Sequence, residues 1–93
     1  MPDHAMKLEP RLSASDVEVF QDEMLAHLEK GGDIVLNASR VELIDTPVVQ
    51  VLLGLKQQSE KSMQALKIED PSDGFREALD LLGVAPELIG EDV

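Results

Sequence analysis

The sequence predicts a small α/β domain, a mixed sheet of about four strands packed with three main helices. Three observations carry that prediction. Residues 15–30 set apolar side chains at helical spacing between a start pattern and a Gly-Gly stop. Residues 33–39, Asp-Ile-Val-Leu-Asn-Ala-Ser, form a short apolar run of the kind that makes a buried strand. Residues 40–69 then read strand, helix, strand, an order that builds a parallel βαβ unit. Ninety-three residues suffice for one domain, expected over 1–93 with loose ends at 1–5 and 86–93.

The elements follow from local chemistry. Met6 to Leu8 reads as an edge strand, and Pro10, with no amide hydrogen to give, limits its pairing. Ser15 and Glu18 match a capping box, after which Val17, Phe20, Met24, Leu25 and Leu28 form one helical stripe. Lys30 occupies the last turn and Gly31-Gly32 supplies a left-handed stop. In the next strand Ile34, Leu36 and Ala38 face one side and Val35 and Asn37 the other, a pattern suited to a central strand. After a kink at Ser39-Arg40, Val41 to Ile44 continues extended.

The run that follows is rich in β-branched residues, as strands are. Helix is nevertheless predicted over 47–60. Pro47 suits the first helical position with Thr46 as cap, and Val48, Val51, Leu52 and Leu55 share one face. Leu66 and Ile68 inward with Lys67 and Glu69 outward predict another strand. Ser72 or Asp73 then caps a last helix over 72–82, striped by Phe75, Ala78, Leu79 and Leu82 and ended by Gly83. Leu88 and Ile89 add one apolar turn.

Composition excludes several functions. Nineteen acidic residues against eight basic ones give a formal net charge of −11. A field of that sign repels phosphate backbones and anionic lipid, so neither nucleic acid nor a membrane surface is an expected partner. A basic protein surface fits better, although such charge also simply aids solubility. Two phenylalanines are the whole aromatic content, which leaves an aliphatic core and no platform for stacking bases. The chain has no cysteine, in keeping with a reducing cytoplasm. No apolar stretch approaches ~18 residues, and no basic-then-apolar leader opens the chain, so neither membrane insertion nor export is expected. His4 and His27 have no nucleophile and acid spaced to converge on them, and Asp70-Pro71-Ser72-Asp73-Gly74 lacks the rest of a calcium loop. No enzyme, no metal and no cofactor are expected.

Two segments, IVLNASRVELIDTPVVQVLL at 34–53 and LKIEDPSDGFREALDLLGV at 66–84, together with the order of elements, resemble the STAS domain over roughly residues 6–84. That family includes bacterial anti-sigma factor antagonists, STAS subunits of lipid-transport machines and the cytoplasmic ends of sulfate transporters. The resemblance implies a STAS-like α/β fold and a non-enzymatic bacterial signalling protein of the anti-sigma factor antagonist kind. It implies a partner that is an anti-sigma or histidine-kinase-like ATPase-fold kinase, and a homodimer stands open beside it. Asp45-Thr46 followed by Gln50-Val51-Leu52-Leu53 is also similar to STAS proteins found beside chemotaxis kinases. An accessory subunit of a lipid or anion transporter is the alternative the family offers. The chain departs from the family pattern at two places: Pro47-Val48-Val49 replaces small residues after the Asp-Thr pair, and Asn37 stands where the buried strand usually has Asp.

In the resemblance the hydroxyl residue after the motif Asp is phosphorylated by a partner serine/threonine kinase, and here that residue is Thr46. Two roles stand side by side for it. It can serve only as a helix cap. Or it can also accept a phosphate, which at a helix N-terminus meets free amides and the positive end of the dipole, while adding negative charge beside Asp45. Ser39 is the second candidate. Val49 and Leu53, rotated about 100–140° from Val48 on the same helix, are expected with Asp45 and Thr46 to form a partner-binding patch, unless the first helix or the N-terminal strand covers them. A remote rival is an acyl carrier-like protein, small, acidic and with Asp-Ser-Leu at a helix start. Its all-helical fold has no room for the strand at 33–39.

Overall fold

The computed structural model describes residues 5–89. In chain order these are β1 (Met6–Lys7), β2 (Arg11–Leu12), a 3-10 turn (Ala14–Asp16), α1 (Val17–Lys30), β3 (Ile34–Asn37), β4 (Leu43–Ile44), α2 (Thr46–Lys61), β5 (Leu66–Glu69), α3 (Asp73–Leu82) and α4 (Ala85–Ile89). The strands form two small ladders, β1-β3-β5 and β2-β4, and every pair among the described residues is parallel. The α/β class is therefore as expected, with strand pairing more uniform than a mixed sheet.

Pro10 is where the ladder divides. Its carbonyl accepts from the amides of both Glu42 and Leu43, at 2.7 and 3.1 Å. Met6 lies opposite Leu36 and Arg11 opposite Leu43, so the β3–β4 side spends more residues on the same span. The excess is taken up by a turn at Ala38–Val41, closed by the Val41 amide on the Ala38 carbonyl. The Asn37 carboxamide oxygen holds the same turn by accepting from the Ser39 amide (3.0 Å) and hydroxyl (2.6 Å). Its Nδ2 donates to Asp70 at 3.4 Å. An aspartate here would set two carboxylates against each other, so Asn37 suits Asp70.

β3 is the central strand, with Ile34, Leu36 and Ala38 fully buried and Val35 and Asn37 half-buried. α1 lies along α2, α3 packs on β4, and α4 packs on α2, α3 and β5. Phe75, Leu79, Leu52 and Leu36 sit at the centre of one apolar cluster. Burying each such side chain contributes about 1.5–3 kcal/mol.

The helix ends carry the corrections. No capping box forms at Ser15: the 3-10 turn occupies 14–16, and the Ser13 hydroxyl donates to Asp16 instead. Gly31 and Gly32 do take positive φ, 83° and 84°. The cap of α3 is Ser72, whose hydroxyl accepts from the Phe75 amide (3.1 Å) and donates to the Val41 carbonyl (2.5 Å). That cap therefore also fastens the helix to the β3–β4 connection. The expected loose end at 86–93 is docked as far as Ile89, because Ala85 and Leu88 bury into the core; residues 90–93, like 1–4, lie outside the described residues.

Candidate functional site

α2 starts one residue earlier than its sequence pattern predicts. Asp45, extended at φ −83° and ψ 154°, is the N-cap residue, Thr46 opens the helix and Pro47 comes second. Thr46 is thus not the cap. The Asp45 carbonyl accepts from the amides of Val48 (3.0 Å) and Val49 (3.2 Å), while its own amide donates to Leu12 (2.9 Å). Its carboxylate reaches outward and accepts from the Ala14 amide at 2.7 Å, which pins the 3-10 turn to the start of α2. Asp45 is half-buried and committed to this tie.

Thr46 is exposed, and among the described residues its hydroxyl makes no hydrogen bond. The amides that a phosphate there was expected to meet are less available than the sequence implied. Val48 and Val49 donate to Asp45, and Pro47 has no amide hydrogen. What acts on Thr46 is the positive end of the helix dipole and the negative charge of Asp45 beside it. Ser39 differs from it: its hydroxyl is engaged by Asn37.

The expected patch of Val49 and Leu53 is not on the surface as a pair. Val49 is 1% exposed and belongs to the core, and Leu53 is half-buried against it. α2 packs against α1, β5 and α4 at once, so its buried sector is wider than one apolar stripe. A partner touching Val49 would have to displace core packing, so Val49 is withdrawn from the binding surface.

The same packing leaves an open groove between α1 and α2, of about 460 Å³. Met24 and Leu55 make its floor, Leu25 and Val51 its apolar walls, and Gln21, Gln50 and Gln58 part of its rim. It runs from Pro47, next to Thr46, to Lys61. Gly54 lies along it, exposed, with nothing within 4 Å of where a Cβ would stand. Sequence reasoning passed over this feature. Its traces were there, in a glycine inside a helical run and glutamines where surface helices of so acidic a chain elsewhere carry Glu or Asp.

Among the described residues no group of three or more His, Cys, Asp or Glu is placed to hold a metal ion, and none of their helices is long and apolar enough to cross a membrane. His27 is half-buried in α1. The Asp70–Gly74 stretch leads through the Ser72 cap into the first two residues of α3.

No curated protein matches the chain. The family described as "Mlab, STAS domain" matches residues 2–90, nearly the full sequence, and the strand-turn-helix from Ile34 to Leu53 lies inside that span. With parallel strands flanked by helices and the Asp-Thr pair at the start of α2, this chain belongs to the STAS domain family.

Proposed function

We propose that the chain is a non-enzymatic, cytoplasmic bacterial signalling protein of the anti-sigma factor antagonist kind, a partner-binding switch set by phosphorylation of Thr46. The kinase is a serine/threonine or chemotaxis-type enzyme with the histidine-kinase-like ATPase fold, and Ser39 is the minor site. One observation carries the reading. The Thr46 hydroxyl stands exposed and unbonded among the described residues, at the first residue of a helix whose N-cap position is taken by its neighbour Asp45. A residue kept only for capping would spend that hydroxyl on a backbone amide.

A phosphate on Thr46 adds about 1.5–2 negative charges next to Asp45. The helix dipole offsets roughly 0.3–1 kcal/mol of the cost of placing it. The partner surface that meets Thr46 in the unmodified protein is repelled, and binding weakens. A second reading, an accessory subunit of a lipid or anion transporter, is favoured by Pro47-Val48-Val49 in place of the small residues of the antagonist pattern. It requires that the ATPase partner bind without modifying Thr46.

The test is incubation with an anti-sigma-type or chemotaxis-type kinase of the same organism and ATP, with the site mapped by mass spectrometry. Phosphate is expected on Thr46 and absent in Thr46→Val, and the modified protein is expected to bind its partner at least tenfold more weakly. Phosphate confined to other positions, or partner affinity unchanged by it, defeats the switch.

A further inference from the structure

The groove between α1 and α2 differs in charge from the rest of the molecule. The chain carries 19 acidic residues, yet no Asp or Glu lines the groove, whose polar rim is glutamine and a single cation, Lys61. Lys61 makes no ion pair among the described residues; the one lysine that does is Lys56, with Glu60. Elsewhere the net charge of −11 favours basic partners, but a basic helix laid here meets amides and a lysine, with no carboxylate to answer it. Gly54 is the second observation. Intramolecular packing does not require a glycine there, since nothing lies within 4 Å of its missing Cβ. In a helix interior glycine is unfavourable, and its one structural consequence here is bare backbone along the groove, where a second helix can approach closely.

We infer that this groove docks an amphipathic helix of a partner protein, with an apolar face, uncharged flanks and an acidic residue in its first turn that meets Lys61. Acidic residues are stabilised at helix N-termini, so the guest runs antiparallel to α2 with its C-terminus at Pro47. From Pro47 to Lys61 the groove spans about 21 Å at 1.5 Å per residue, matching a guest of roughly 14 residues. A small-molecule occupant fits less well. Its site needs convergent polar anchors, and among the described residues no buried polar side-chain atom is left without a partner. One consequence rests on the proposed Thr46 switch: a phosphate there faces the negative end of the guest dipole and weakens docking.

The probes are two synthetic 16-residue amphipathic peptides with the same Leu/Ala face and Gln/Ser flanks, one with Glu and one with Lys in the first turn. Each is titrated into isotope-labelled protein at 0.15 M salt and followed by NMR. The Glu peptide is expected to shift the signals of Gln50, Gly54 and Gln58 and to bind at least tenfold more tightly than the Lys peptide. Gly54→Leu, with its fold checked by melting temperature, should weaken it at least tenfold, and Lys61→Glu should reverse the preference. The inference is overturned if the Lys peptide binds the groove equally well, if the shifts map elsewhere, or if Gly54→Leu is without effect. It is also overturned if sedimentation shows a dimer that Gly54→Leu dissociates, since the occupant is then a second copy. Thr46→Asp separates the two readings. Groove binding that it leaves unchanged refutes the coupling to Thr46 alone, whereas a phosphorylation-sensitive partner that ignores Gly54→Leu refutes the groove and keeps the switch.

Discussion

Replacing glycine by alanine in a helix adds one methyl group, and at two positions of this chain the same change is expected to act in opposite directions. At Gly54, inside α2, the added Cβ meets nothing within 4 Å. Only the helix term remains, so Gly54→Ala should stabilise the protein by up to about 1 kcal/mol. For a chain of this size that raises Tm by about 4–8 °C. At Gly74, the second residue of α3, the Cβ would stand 2.9 Å from the Glu42 carbonyl oxygen and 3.3 Å from Glu42 C and the Val41 oxygen. All three are backbone atoms, so no side-chain rotation relieves the contact. Relief means lifting the start of α3 off the β3–β4 connection, to which it is held by the Ser72 hydroxyl on the Val41 carbonyl and the Ser72 amide on the Ala38 carbonyl (3.1 Å). Such overpacking costs about 1–3 kcal/mol, against a small propensity gain at a helix end. Urea denaturation of both variants, with the slope checked for constancy, gives the two differences directly. A Gly74→Ala protein as stable as the parent, or a destabilised Gly54→Ala, would refute the packing argument.

Further expectations follow from the α3 cap and from the charge. Ser72→Ala removes an N-cap and a second hydrogen bond, each worth about 1 kcal/mol, so unfolding free energy should fall by about 2 kcal/mol; a loss under half of that would show that the Val41 contact contributes nothing. Raising sodium chloride from 0.1 to 1 M shortens the Debye length from about 10 to 3 Å and should raise Tm, because it screens a net charge of −11. The Lys56–Glu60 contact, at 3.8 Å and with Glu60 exposed, contributes little that salt could remove. A lower Tm in salt would mean that attractive pairs outweigh the repulsion.

Much of the fold was legible because its signals are local. The apolar alternation of Ile34, Leu36 and Ala38, the stripe of Phe75 and Leu79 and the Ser72–Phe75 cap each involve residues within four positions of one another. So does the choice of helix over strand after Pro47, decided by spacing against β-branched content. The family resemblance could be read for the same reason, from two unbroken segments.

The candidate site was half legible. Asp45-Thr46-Pro47 by itself marked a helix start, and with it a candidate hydroxyl. That the Asp45 carboxylate is spent on the Ala14 amide, 31 positions away, and not on the amides of its own helix is something the local pattern cannot contain. The Asp45 carbonyl accepts from the Val48 and Val49 amides, and the Thr46 hydroxyl is unbonded among the described residues. Val49 was placed at an edge by helical rotation alone, but the number of elements that pack on α2 sets how much of its circumference is buried. The groove likewise belongs to two helices whose meeting lines are separated by the whole β3–β4 excursion. Sequence by itself thus determined where the chain turns, coils and hides its apolar faces, since those are properties of neighbouring residues. Tertiary structure alone decided which polar groups are spent and which backbone stays bare, since each depends on an atom supplied from a distant part of the chain.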